Sequence, residues 1–232
     1  MLARLKQVLP NHPVPLRVLR GPFRGARVVM NPRHSLRKVF GLYEHELNGW
    51  LRQALPRVSR VLDVGANDGY FAFGCAAAFT RRGVKGEVTC FEPQSRHVEL
   101  LREGIAAQPS LDVRFEIVPA FAGREVGGGV TTLDALPRNA RRNTLIKIDV
   151  EGAELDVIDG ARSWMDGSNL FVIEVHAERY LDELQRTFKG HGLSLVQVNQ
   201  RPLPLLGRED RDEANWWLVS DLGAKGGGAT VR

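Results

Sequence analysis

The stretch VLDVGANDGY, residues 61–70, decides the fold class, because a buried apolar strand runs directly into a glycine-rich turn. Small and apolar residues at helical spacing follow at once in residues 70–82. A strand, a tight turn and a helix in immediate succession are the opening unit of a βαβ crossover. The stretch therefore predicts a parallel α/β sheet whose first strand covers residues 60–64.

The same alternation of strand and helix continues along the chain. Short apolar runs predict further strands at 87–91, 113–118, 144–150, 170–175, 193–198 and 215–220. Helical periodicity predicts helices at about 94–107, 153–164 and 178–189. The last two strands have no clear helix between them, which favours a final hairpin with an antiparallel last strand. We expect a Rossmann-like, doubly wound, mostly parallel seven-stranded sheet.

The 232 residues suit one domain with a small N-terminal extension. A hairpin is predicted within residues 16–30 and a helix at 43–55. We therefore divide the chain into a basic arm with a hairpin (1–42), a core domain (43–222) and a glycine-rich flexible tail (223–232).

The positive charge is concentrated in the N-terminal part of the chain. Residues 1–50 carry nine Lys or Arg and two acids, which gives +7, so the other residues must total −2 to reach the overall +5. A solvated basic face is one interpretation. The other is an anionic partner such as a phospholipid surface, a sugar phosphate or nucleic acid.

The sequence has no apolar stretch of the ~20 residues that a membrane-spanning helix needs, and no signal-peptide pattern at its start. Cys75 and Cys90 lie in apolar runs, which is typical of buried free thiols in a reducing compartment. We expect a cytoplasmic protein, with peripheral membrane association as the alternative.

The glycine-rich turn and the end of the second strand predict a nucleoside-containing cofactor. Asp63, Gly65, Asn67 and Gly69 form a D-x-G-x-N-x-G pattern, and Glu92 stands where an acid accepts hydrogen bonds from ribose hydroxyls. A turn without a ligand role, and helix capping by Asp63, are the structural alternatives. The predicted cofactor residues are Asp63, Gly65, Asn67, Gly69, Tyr70, Glu92 and Pro93.

The spacing of the turn distinguishes between two cofactors. A dinucleotide site needs G-x-G-x-x-G, so that a pyrophosphate can rest on the helix N-terminus. The turn here lacks that spacing, and Asp63 and Asp68 would repel a pyrophosphate. Both acids suit a ligand with an ammonium and a sulfonium group, which favours S-adenosylmethionine over NAD.

Six segments together resemble the FkbM family of S-adenosylmethionine-dependent methyltransferases. In chain order they are GLYEHEL (41–47), VLDVGANDGY (61–70), CFEP (90–93), TTLDAL (131–136), LIKIDVEGAE (145–154) and FVIEVH (171–176). The resemblance runs from about residue 20 to residue 175. It implies a methyltransferase sheet and O-methylation of a hydroxyl on a sugar, glycan or secondary metabolite. One departure is the short segment at 121–129, where family members usually carry a longer one.

Residues for the reaction are expected at the carboxyl ends of strands four and five, where ligands bind in open α/β sheets. Asp149 and His176 are the catalytic candidates, one as general base and the other orienting it. Helix capping by Asp149 and structural hydrogen bonding by His176 are the alternatives. Lys147, Glu151 and Glu174 are substrate or metal candidates, although Lys147 could pair with an acid and Glu151 could favour a first helical turn.

Asp149, Glu174 and His176 could also hold a divalent ion, although acid–base and capping roles already explain them. Residues 149–154 read DVEGAE, without the proline and aromatic residue that base-directed amino-methylating enzymes carry there. The alternatives to O-methylation are an RNA-directed methyltransferase and a non-catalytic nucleotide-binding or scaffold protein. We expect residues 1–40 to be partly dispensable for cofactor binding and to act on the acceptor or a surface.

Overall fold

A computed structural model of the chain describes residues 9–109, 112–137, 142–203 and 215–223. The strands are β1 (Val14–Arg17), β2 (Arg27–Met30), β3 (Arg60–Val64), β4 (Gly86–Phe91), β5 (Val113–Val118), β6 (Phe121–Ala122), β7 (Val130–Thr131), β8 (Thr144–Ile148), β9 (Leu170–Val175), β10 (Leu195–Gln197) and β11 (Trp216–Ser220). The helices are α1 (Leu36–Val39), α2 (Asn48–Ala54), α3 (Tyr70–Arg81), α4 (Ser95–Ala107), α5 (Glu154–Asp159) and α6 (Arg179–Gly190).

The central sheet has seven strands in the order β10-β11-β9-β8-β3-β4-β5. The strands from β9 to β5 are parallel, whereas β11 runs antiparallel to both β9 and β10. The strand order reverses between β3 and β8, so their carboxyl ends open a crevice at this point. The predicted mostly parallel sheet and its antiparallel last strand are confirmed.

Apolar side chains pack on both faces of the sheet. Neighbouring residues of β3 alternate between the faces, so that Val61 joins one core cluster and Leu62 joins the other. Helix α3 is almost entirely buried from Tyr70 to Phe79, which accounts for its run of small and apolar residues. Among the described residues, no helix combines the length and the apolar character that crossing a bilayer demands.

Two helices are shorter than the sequence predicts. The helix expected over 43–55 begins at Asn48, after a 3-10 turn at His45–Leu47. The helix expected over 153–164 ends at Asp159, and the next residue, Gly160, packs so closely on the carbonyl of Gly123 that an added Cβ would lie 2.0 Å from that oxygen. Glu154 is the first residue of this helix.

The N-terminal hairpin forms as predicted from strands β1 and β2. It packs on the sheet domain, because the Phe23 ring makes edge-to-face contacts with Tyr70 and Phe71 at centroid distances of 5.3 and 5.4 Å. Gly74 provides the room, since a Cβ there would lie 2.2 Å from the Phe23 ring. The predicted flexible tail lies almost entirely outside the described residues.

Candidate functional site

The turn after β3 has the sharp geometry that its glycines predict. Gly65 and Gly69 have φ values of 79° and 80°, and Asn67 has a φ of 48°. A Cβ at Gly65 would lie 1.9 Å from the carbonyl oxygen of Asp149, and one at Gly69 would collide with Phe73. The missing side chains therefore make room for neighbouring parts of the protein.

Glu92 lies at the carboxyl end of β4, beside this turn. Its Oε2 accepts the backbone N–H of Asn67 at 2.9 Å, and its Oε1 accepts that of Gln94 at 2.9 Å. The residue is only 4% exposed. Two backbone amides thus fix the carboxylate, and each of its oxygens has a second lone pair that can accept another hydrogen bond.

A cavity of about 360 Å³ opens between Glu92 and Asp149. Apolar side chains such as Phe91 and Val150 line it together with polar ones such as Gln94 and His97. The predicted residues Gly65, Asn67, Glu92, Pro93, Asp149 and Glu151 all line it. A second cavity of about 40 Å³ shares Gly65, Asn67 and Asp149 with the first and extends past the turn to Tyr70 and Lys147.

Two predicted cofactor residues do not line either cavity. Gly69 faces the core, as described above, and Asp63 is fully buried with its carboxylate 3.7 Å from Lys147 Nζ. Asp63 and Lys147 are direct partners across the parallel strands β3 and β8. Burial raises the pKa of Asp63 to about 6, against the opposing attraction of Lys147. Asp63 therefore lies in the core beside Lys147, and its predicted contact with the cofactor stays a prediction.

Lys147 is an internal counter-ion for two carboxylates. Its Nζ donates to Asp149 Oδ2 at 2.7 Å and lies near Asp63. Burial alone would lower the pKa of Lys147, but Asp149, Asp63 and Glu44 outweigh it and raise that pKa. The pairing that the sequence offered as the alternative for Lys147 is therefore present.

Asp149 and His176 come close, although a different carboxylate orients the imidazole. His176 Nε2 lies 3.9 Å from Asp149 Oδ1, which is beyond hydrogen-bond distance. Glu154 Oε1 accepts from the backbone N–H of His176 at 3.1 Å and lies 2.6 Å from its Nδ1. The hydrogen bond to Glu154 raises the pKa of His176, burial opposes this, and Asp149 adds to it.

This arrangement fixes the tautomer of a neutral His176. An ionised carboxylate only accepts, so Nδ1 carries the proton toward Glu154, and Nε2 presents its lone pair on the Asp149 side. From the sequence, Glu154 was not among the candidate site residues. Its place at the start of α5, beside the end of β9, was the signal that it could reach His176.

The three residues considered for a metal do lie together. One ligand atom from each of Asp149, Glu174 and His176 falls within 4.8 Å of the others. The Glu174 carboxylate also accepts a hydrogen bond from Asn215. These three residues are therefore placed to bind a divalent ion as well as to take part in acid–base catalysis.

The smaller cavity includes residues that the sequence reasoning left without a role. They come from the GLYEHEL segment and the helix before it: Lys38, Tyr43 and Glu44. Lys38 Nζ donates to Asp68 Oδ2 at 2.5 Å. These residues lie far from the glycine-rich turn in sequence, so periodicity could not show that they meet it.

Comparisons with known proteins agree with this geometry. The family model described as the methyltransferase FkbM domain matches residues 121–195, which contain β8, α5 and β9. No curated protein sequence matches the chain significantly.

The chain is similar in structure to the FkbM methyltransferase of Methylobacillus flagellatus KT, with a TM-score of 0.55 and 18% identity. The match covers 71% of this chain but only 44% of that protein, so this chain spans less than half of its length. It is also similar to yhhF of Escherichia coli, a protein assigned to the methyltransferases, with a TM-score of 0.51, 13% identity and coverage of 89% and 98%. The match of the family model to residues 121–195 confirms the predicted resemblance to the FkbM methyltransferases, and the two solved structures share the fold of the chain.

Proposed function

We propose that the protein transfers a methyl group from S-adenosylmethionine to a hydroxyl of a sugar, glycan or secondary metabolite. The observation that carries the proposal is the Glu154–His176 pair, which directs His176 Nε2 toward Asp149 at the crevice. Methyl transfer to a hydroxyl needs a base that removes the hydroxyl proton. An imidazole held in one tautomer suits that task.

The residues at the crevice fit the cofactor. Glu92 is held by two backbone amides and has remaining lone pairs for the two ribose hydroxyls. The larger cavity offers apolar walls for an adenine, including Phe91 and Ala122. Asp68, beside the turn, supplies a carboxylate for an α-ammonium group. When bound, the cofactor supplies an electrophilic methyl group on a sulfonium.

In this reaction, residues of the chain would accept one proton and stabilise the resulting positive charge. His176 Nε2 accepts the proton of the acceptor hydroxyl, and the oxygen electron pair forms the new bond to the methyl carbon. The carbon–sulfur bond electrons return to sulfur, which becomes neutral. Glu154 holds the resulting imidazolium, and Asp149 lies near enough to Nε2 to add electrostatic stabilisation.

The choice of acceptor rests on the FkbM resemblance. The segment at 149–154 has no aromatic residue on which a flipped base could stack, which weighs against nucleobase methylation. The acidic side chains around the crevice would also repel a phosphate backbone. A neutral hydroxyl compound is the substrate class that these features favour.

The test is methyl transfer from isotopically labelled S-adenosylmethionine to a panel of sugars and hydroxylated metabolites, with RNA as a comparison. His176→Gln should lower turnover by about 10²-fold or more while S-adenosylhomocysteine affinity stays unchanged, since general-base catalysis contributes that much. Asp149→Asn should also lower turnover. Gln185→Ala, an exposed change on α6, is the matched control and should keep full activity.

Each reaction is run with and without a chelator. A stable His176→Gln protein with full turnover at neutral pH would refute the base assignment. Activity that is abolished by a chelator and restored by divalent ions would indicate a metal site at Asp149, Glu174 and His176 in place of the general base. Preferred methylation of RNA would overturn the acceptor class.

A further inference from the structure

The N-terminal segment of residues 36–44, which we name the cover segment, lies against the glycine-rich turn. Lys38 Nζ donates to Asp68 Oδ2 at 2.5 Å, and their side chains are only 17% and 14% exposed. The same ammonium lies 4.8 Å from the ring centroid of Tyr43 and 5.5 Å from that of Tyr70. Two aromatic faces and one carboxylate therefore hold a positive charge at the smaller cavity.

The cover segment is fixed in place by the rest of the chain. The N–H of Leu19, just after β1, donates to the carbonyl of Val39 at 2.7 Å. Asn48 Nδ2 donates to the carbonyl of Gly41 at 3.0 Å. Tyr43 packs edge-to-face on Tyr70, the first residue of α3, at a centroid distance of 5.4 Å. The hairpin and helices thus set the position of the Lys38 ammonium.

The smaller cavity adjoins the larger one at the turn. Gly65, Asn67 and Asp149 line both cavities, while Glu92 belongs to the larger and Lys38 to the smaller. A ligand whose ribose lies at Glu92 and which extends across Gly65 directs its other end toward Lys38 and Asp68. In S-adenosylmethionine that end carries an α-carboxylate and an α-ammonium.

We infer that Lys38 binds the α-carboxylate of the cofactor, and that the cover segment is therefore part of the cofactor site. An ammonium has three donors, and Asp68 takes one of them. The cofactor's carboxylate would contact Lys38 and its ammonium would contact Asp68, which gives four charges of alternating sign. This inference rests on the proposed function.

The inference that Lys38 binds the cofactor replaces an expectation drawn from the sequence. Residues 1–40 were expected to be partly dispensable for cofactor binding because their excess charge suggested a surface role. Lys38 lies within that stretch, so its removal should cost cofactor affinity directly.

The test compares two ligands by calorimetry: S-adenosylhomocysteine, which has the α-carboxylate, and 5′-methylthioadenosine, which has no amino-acid end. Lys38→Met should weaken S-adenosylhomocysteine binding by about 10-fold to 100-fold, the range for loss of one charge-assisted hydrogen bond. It should leave 5′-methylthioadenosine affinity within about twofold. Lys38→Arg keeps the charge and should retain most of the affinity for both ligands.

Lys85→Met removes an exposed lysine elsewhere and is the matched control, with both affinities unchanged. Equal losses for the two ligands in Lys38→Met, or no loss for either, would overturn the carboxylate assignment and leave the proposed function standing. If the unchanged protein bound neither ligand, the proposed function would fail together with this inference. Should Lys38→Met not fold, Lys38→Gln replaces it, with the same expected selectivity.

Discussion

The crevice has two halves, one at the glycine-rich turn that we propose binds the cofactor and one at the ends of β8 and β9 that we propose binds the acceptor. The two halves are built in different ways. Around the glycine-rich turn, the Glu92 carboxylate is held by two backbone amides close to it in space. At the carboxyl ends of β8 and β9, side chains are fixed by contacts with other side chains: Lys147 pairs with Asp149, and Glu154 pairs with His176. One half depends mainly on backbone geometry, whereas the other depends on a balance of buried charges.

The difference determines which changes each half tolerates. Replacing Glu92 removes the acceptor of two part-buried backbone amides, so it should loosen the turn locally as well as weaken ligand binding. Buried charged groups depend on their partners, because removal of one leaves another uncompensated. Substitutions in the acceptor half should therefore alter stability and pH dependence as well as activity.

The largest effect is expected for Lys147→Met. Asp63 is fully buried opposite Lys147, and removing the cation should cost about 3–5 kcal/mol in the free energy of unfolding. Denaturant unfolding at neutral pH measures this cost.

The control for Lys147→Met is its pH dependence. The folded-state pKa of Asp63 is already raised to about 6, so the folded protein binds this proton more tightly than the unfolded chain does. Stability then falls as pH rises from the ordinary aspartate pKa through the folded value, and Lys147→Met should deepen that fall. Adding Asp63→Asn should recover much of the loss. Equal stability of Lys147→Met and the unchanged protein at pH 8 would contradict the counter-ion role.

A smaller effect is expected for Glu154→Gln. The hydrogen bond to Glu154 is the main cause of the raised pKa of His176, so the isosteric amide should lower that pKa. The acid limb of the pH–rate profile should move to lower pH, because a base works only when deprotonated.

Stability supplies the second readout for Glu154→Gln. A histidine with a raised folded pKa contributes stability below its ordinary pKa of ~6.5, and this stability is lost as pH rises through the folded value. Glu154→Gln should therefore destabilise the protein more at pH 5.5 than at pH 9. An unmoved acid limb with unchanged turnover would show that this pair has no part in proton transfer.

The fold could be predicted from sequence because its signals are local. Strands β3, β5 and β9 have the bounds that their apolar runs predict, and β11 is antiparallel, as expected from a sequence with no clear helical pattern before the last predicted strand. Glu92 was found in the same way, since it stands at a strand end beside the turn. Strand alternation and turn chemistry act over a few residues, and a sequence displays them directly.

The acceptor half could be predicted only in part, because its pairs join distant segments. Asp149 and His176 were identified from their strand ends, but the imidazole's partner is Glu154, on the helix between those strands. The motif alone does not show that Asp63 is buried beside Lys147. Lys38 was missed because only the tertiary fold brings it to the turn.

The central claim is that this crevice binds S-adenosylmethionine through Glu92, and calorimetry with S-adenosylhomocysteine and NAD tests it most directly. We expect S-adenosylhomocysteine to bind with a dissociation constant of about 1–100 μM, as its proposed contacts would give, and we expect NAD not to bind. Glu92→Ala should weaken binding by about 30-fold to 100-fold in a folded protein, through loss of two charge-assisted hydrogen bonds to ribose. Binding of NAD without S-adenosylhomocysteine, or undiminished affinity in Glu92→Ala, would contradict the account.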